Sequence, residues 1–382
     1  MQIFPEKHIA KNLIVLFSCI FLIVLIVTIS DLYKHYELKK NIRLSLNKNN
    51  KTIQHSIHAT STKPFTFDPL TRSSTSTIPQ FILLSFDGSK SIDMWKDTIS
   101  FAENLNASNT PLHFTYFVNS AYFLVDENKN AYKPPNKEIG HSDIGYSESL
   151  SAINRRVKEV NNAIERGHEI ASHSAGHWLG GSWSIDDWQK EFSAFNELLF
   201  NYKKNNPQYN FSESLNLNKT QIKGFRAPSL SINLNMYDAL SKDGYYYDSS
   251  EINIKNEWPH KDKIGIWHIP ISTFYWPYFQ KKVLAVDYTI WVVQSNGENL
   301  IKKGTAEWDN KVNDLTNAYI SQFENNYATN RAPIVIDNHF STWNDGLYWE
   351  ALKGFAKKAC GRTNVRCTTF SELVDYMEGD TK

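Results

Sequence analysis

"FILLSFDGSKSIDMWKDTISFAENL" (residues 81–105) contains both halves of a βα unit. Phe81–Phe86 is a short, almost unbroken apolar run, the signature of a strand buried on both faces. An Asp-Gly pair, Asp87-Gly88, follows it and lets the chain turn. Beyond the turn, Ile92, Trp95, Ile99 and Leu105 hold one helical stripe.

The same alternation continues outward. "HFTYFV" (113–118) reads as the next strand, and residues 151–166 carry Ile153, Val157, Val160 and Ile164 on one face, with Gly167 where a helix stops. Ser184 can cap a helix bearing Trp188, Phe192, Phe195 and Leu199. "IKGFRA", "GYYYD", "GIWHIPI" and "PIVID" supply further strands, and Ser371 opens a last helix through Leu373, Val374 and Met377. Strand–helix alternation predicts an α/β domain over 79–382 with a largely parallel sheet or barrel. In such folds chemistry gathers where strands end at their carboxyl termini.

Upstream the composition changes. After a short N-terminal segment (1–12), "LIVLFSCIFLIVLIVTI" (13–29) is uncharged and spans about 25 Å as a helix, so 13–30 reads as an uncleaved transmembrane anchor. Residues 31–78 are rich in Ser, Thr, Asn and Lys and read as a stalk. Lys7 and Lys11 precede the span while Lys34, Lys39, Lys40 and Arg43 follow it, so charge bias does not favour a cytoplasmic N-terminus. Cys19 falls within the span, leaving Cys360 and Cys367 around "GRTNVR". They can close a local disulfide or remain two buried thiols. A disulfide would persist only outside the cytoplasm, where we place 31–382.

Lys plus Arg (41) balances Asp plus Glu (40), so no basic surplus points to nucleic acid. The 11 Trp and 19 Tyr offer rings on which sugars could stack, or ordinary core.

Three polar clusters follow strand signals. Asp87 is a ligand, a base or a turn former. His173 and His177, in "HSAGH" (173–177), are four apart; on a helical turn both would lie on one face, within reach of one divalent ion, and Ser-Ala-Gly between them would leave room for substrate. His339, in "VIDNHFS" (335–341), is a general acid or a structural histidine. One carboxylate, a histidine pair and a further histidine are together what a metal hydrolase requires.

These residues resemble, in order, the motifs of the polysaccharide deacetylases, the NodB-homology group of carbohydrate esterases. "SFDG" resembles the first motif, usually T-F-D-D; "HSAGH" the second, H-[ST]-x-x-H; "FRAP" (225–228) the third; and "NHFS" carries the late histidine. "YDSS" (247–250) resembles a segment common after the next strand. The resemblance implies a distorted (β/α) barrel and a divalent metal, Zn2+ before others. It implies His173 and His177 on the metal, Asp87 as the base by alignment, Arg226 orienting the carboxylate, and His339 as acid; two imidazoles without a carboxylate hold a metal weakly, which is the argument for Asp87 as a metal ligand instead. The implied substrate is an N-acetylated sugar polymer such as chitin or peptidoglycan glycan, hydrolysed to a free amino sugar and acetate.

Two departures stand out. Gly88 replaces the motif's second aspartate, so Asp87 must serve as either base or metal ligand. Asp337 replaces a leucine that lines the acetyl pocket, and offers an orienting partner for His339. We therefore expect a membrane-anchored, extracytoplasmic carbohydrate de-N-acetylase. The alternative is a catalytically degenerate relative that binds glycan or assists envelope assembly.

Overall fold

The computed structural model describes residues 78–379 and the two-residue strand Phe65–Thr66. The anchor reading (13–30) and nearly all of the stalk reading lie outside the described residues. Among the described residues no helix is long and apolar enough to cross a membrane.

The quoted stretch folds as its pattern predicts. Strand β1 is Gln80–Asp87, buried along its whole length, and helix α1 is Ile92–Ala107, capped by the Ser91 hydroxyl accepting from the Met94 amide at 3.3 Å. Side chains alternate across a strand. Phe81 and Leu83 therefore enter one apolar cluster, while Ile82, Leu84 and Phe86 enter the other. Both faces are covered, which is why the run is apolar without alternation. At roughly 2 kcal/mol per buried large side chain, these five contribute on the order of 10 kcal/mol before conformational entropy is subtracted.

The other parallel strands are β2 (Phe114–Val118), β3 (Glu169–Ser172), β4 (Gly224–Phe225), β5 (Tyr247–Asp248), β6 (Trp267–His268) and β7 (Ile334–His339). Their spatial order is β6-β5-β4-β3-β2-β1-β7, all parallel. Phe65–Thr66 and His260–Lys261 extend the β6 edge antiparallel, and Val365–Cys367 pairs with the start of β1. This is an α/β fold with a curled, half-barrel sheet. A hairpin formed by Ile271–Trp276 and Lys281–Leu284 lies against β7, where the Ser272 hydroxyl accepts from the Val335 amide at 2.9 Å. Cys360 and Cys367 form the disulfide beneath β1.

Helices α2 (Leu150–Glu165) and α3 (Ile185–Phe200) cover one side; Ser149 caps α2, and Ser184, the expected cap, forms a capping box with Asp187 on α3. The last helix, α4 (Phe370–Glu378), is capped by Thr369 and not Ser371, with Glu372 completing its box. Arg156 of α2 is fully buried and donates to the carbonyls of Ser89 (2.9 Å), Lys90 (2.7 Å) and Tyr122 (2.6 Å). It thereby clamps the turn that follows Asp87.

Candidate metal centre

Parallel register brings the distant motifs to one end of the sheet. His339 lies opposite Asp87 and Asp337 opposite Ser85 on β7 and β1. Ser172 lies opposite Phe225 on β3 and β4, so His173 and Arg226 leave their strands side by side.

Asp87 is divided between two partners. Its Oδ1 accepts from Arg226 Nη1 at 2.9 Å, and its Oδ2 lies 3.6 Å from His173 Nε2. Burial works to raise the Asp87 pKa, but the Arg226 guanidinium, then His173 and His339, hold it below its usual value. Arg226 is itself fully buried, donating through Nε to the Ser249 carbonyl (3.0 Å) and through Nη2 to the Ser249 hydroxyl (2.9 Å), with its guanidinium 4.0 Å from the Phe117 ring centroid.

The His173–His177 segment is a correction to the helical reading. It is a turn at the end of β3, with Ser174 and His177 at φ of 67° and 63°. Left-handed backbone at non-glycine residues costs about 1–3 kcal/mol each. Glu191 of α3 offsets that cost. Its Oε1 accepts from the Ser174 hydroxyl (2.7 Å) and the amides of Ala175 and Gly176 (both 2.9 Å), and its Oε2 from the Tyr132 hydroxyl (2.8 Å). The turn nonetheless pairs the two histidines, with ring centroids 5.0 Å apart. No room for substrate opens between them: a Cβ on Gly176 would lie 2.4 Å from the Tyr132 hydroxyl, and Ser174 and Ala175 are buried. The open side of the turn is at His177, which is partly exposed.

One hydrogen bond decides what His173 can do. Its Nδ1 lies 2.8 Å from the Arg226 carbonyl, which only accepts, so Nδ1 carries the proton. In the neutral ring Nε2 then presents a lone pair, and burial keeps the ring's pKa below the usual value. That lone pair faces a carboxylate at 3.6 Å. Two acceptors confronting one another fit a cation between them, and the donor set of imidazole and carboxylate suits zinc or a similar ion. Asp87 and His173 face one another there, but the expected trio of Asp87, His173 and His177 does not bring its ligand atoms within 4.8 Å of one another.

Among the described residues, two trios place one ligand atom each within 4.8 Å of one another: Asp87–Asp337–His339 and Glu251–His260–His268. The second is occupied by its own ion pairs. His268 bonds Glu251 through Nδ1 (3.0 Å) and Asp262 through Nε2 (3.1 Å), an imidazolium held between carboxylates.

Comparisons with known proteins agree with this architecture. No family model matches the chain, and no curated protein sequence matches it. Among solved structures, a Mycobacterium smegmatis protein named as a polysaccharide deacetylase is similar at a TM-score of 0.51 with 16% identity, over 84% of this chain and 94% of that one. This chain has the polysaccharide deacetylase fold. Weaker similarity extends to the peptidoglycan deacetylase PdaC of Bacillus subtilis (TM-score 0.40, 12% identity, 78% and 92% covered). It extends also to a carbohydrate esterase family 4 pseudoenzyme of Bacillus anthracis (TM-score 0.39, 9% identity, 78% and 66% covered).

On this deacetylase fold the late histidine has a partner that the sequence reading missed. His339 Nδ1 bonds Asp287 Oδ1 at 2.6 Å, and the His339 amide donates to Asp287 Oδ2 at 2.8 Å. Asp287 opens helix α5 (Asp287–Ser295) and is buried. Burial works against the charged ring, but Asp287 outweighs it and lifts His339 to about 9. Asp337, expected as that partner, bonds elsewhere: its Oδ1 accepts from Arg226 and from the Ser85 hydroxyl at 2.8 Å. Burial, then the neighbouring Asp87 charge, pushes Asp337 well above the usual carboxylate range. Trp343 stands beside His339, ring centroids 5.6 Å apart, and stacks on Trp291 at 4.7 Å. Trp183 is buried against Trp188.

Proposed function

We propose that the chain is a metal-dependent hydrolase that removes N-acetyl groups from an amino-sugar polymer or glycoconjugate outside the cytoplasm. The observation that carries this reading is the lone pair of His173 Nε2 facing the Asp87 carboxylate. A divalent cation there supplies a Lewis acid able to polarise an acetamide carbonyl and acidify water.

The side chains then divide the work. Arg226 keeps Asp87 ionised, ready to accept a ligand or a proton. Asp287 keeps His339 protonated and orients its Nε2 away from the carboxylate, as a general acid requires. With Asp87 as the base, water gives it a proton as the water oxygen bonds to the carbonyl carbon, the C–N bond breaks, and the amine leaves with a proton from His339. The products are acetate and a free amine. Trp343, partly exposed beside His339, supplies a face for the sugar ring.

The disulfide supports an extracytoplasmic domain, and the apolar run 13–29 supports a membrane anchor. Gly88 favours the second reading, a degenerate relative that binds glycan. Acetate release from N-acetylated glycan by the purified chain separates the two. The enzyme reading predicts release that chelator and His173→Ala both abolish. Glycan binding without acetate release would establish the degenerate relative.

A further inference from the structure

Asp337 carries an oxygen with no partner among the described residues. The side chain is 0% exposed; Oδ1 takes the Ser85 hydroxyl and Arg226, whereas Oδ2 is buried and accepts no hydrogen bond. Half-satisfied carboxylates in low dielectric are costly, and such an oxygen calls for a proton, a water or an ion to complete it.

A proton on Asp337 Oδ2 would find no acceptor there among the described residues, whereas a cation would engage that oxygen directly.

Topology explains how a carboxylate reaches this place. Residues two apart on a strand share a face, and β7 sets Asp337 against Ser85 and His339 against Asp87. Asp87, Asp337 and His339 accordingly bring ligand atoms within 4.8 Å of one another. Gly88 contributes no side chain beside Asp87: its backbone is left-handed at φ +81°, and the space where a Cβ would stand is open for 4 Å. We propose that Asp337 is the second carboxylate of the metal centre, delivered from β7 instead of from the residue after Asp87. The proposal rests on reading that centre as metal-binding. It also explains why a buried carboxylate stands at a position that would otherwise suit an apolar residue.

The test is a zinc titration of the metal-free full chain against a competing chelator. Wild type, Asp337→Asn, His173→Ala and the double variant Asp337→Asn/Gly88→Asp are compared, with near-UV circular dichroism confirming the fold. Asn keeps the Ser85 contact while removing the charge. If Asp337→Asn does not fold, Asp337→Ser replaces it. The expected result is a loss of at least tenfold in zinc affinity in Asp337→Asn, recovered substantially by Gly88→Asp. Unchanged affinity in folded Asp337→Asn, alongside loss in His173→Ala, overturns the role of Asp337 and leaves the metal centre standing. No zinc binding by wild type overturns both.

Discussion

His339 gives its Nδ1 hydrogen bond to Asp287, 52 residues away, and not to Asp337, two residues away on the same strand. Asp337 is already engaged elsewhere. Asp337 points with Ser85 toward Arg226, while the start of α5 delivers Asp287 to the end of β7.

Asp287→Asn should therefore lower acetate release by about tenfold or more, the scale of a general acid's contribution. Its pH profile should identify the cause. His339 stays protonated up to about 9 because of Asp287. Without that carboxylate the acid form is lost at lower pH, so the alkaline limb should move toward neutrality. A uniform drop with an unmoved limb would contradict the assignment.

Glu191 holds the turn between the two histidines. Glu191→Ala strands three donors from residues 174–176 together with the Tyr132 hydroxyl. Buried donors left unpaired cost about 1–3 kcal/mol each, so urea unfolding of the metal-free chain should show a loss of about 3 kcal/mol or more. Zinc affinity should fall with it, because the turn sets where His177 stands.

His168 gives stability a pH dependence unconnected with catalysis. Its Nδ1 accepts from the Phe114 amide at 3.0 Å, and burial, then His113 and Arg166, lowers its pKa to about 3. Between about 3 and 6.5 the unfolded chain binds a proton that the folded ring refuses, so stability falls as pH drops through that window. His168→Asn keeps an acceptor but does not titrate. From pH 7 to pH 5 its loss of unfolding free energy should be smaller than the wild-type loss by about 2 kcal/mol. Equal losses would contradict this.

The disulfide closes a loop of sequence separation 7. Chain-entropy reasoning assigns such a closure about 2–3 kcal/mol, so Cys360→Ser/Cys367→Ser should unfold at lower urea concentration by that amount. Thiol labelling of the chain in freshly opened cells should find both cysteines blocked if the domain folds outside the cytoplasm.

Much of this was legible in the sequence, and what was not has physical causes. Strand ends near Asp87, His173, Arg226 and His339 declare themselves because polar residues follow short runs that read as strands. Asp287 carries the same mark, following "VLAV" (283–286), but belongs to no resembling motif. Glu191 stands three residues after Trp188 and beside Phe192, a charge on an apolar stripe, which is the signal of a buried role. The helical spacing of His173 and His177 misled because four-residue spacing cannot distinguish a helix turn from a left-handed loop; only Glu191, distant in sequence, decides it. Long helix α6 (Ala306–Ala328) buries Trp308, Leu315, Tyr319 and Phe323, yet the Asn and Asp between them blur its stripe.

Metal content of the purified full chain, measured by elemental analysis beside His173→Ala, tests the central reading most directly. The account predicts one zinc-type ion per wild-type chain and little in the variant, with the fold intact in both. A wild-type chain that retains no divalent ion, yet still releases acetate in excess chelator, would contradict it.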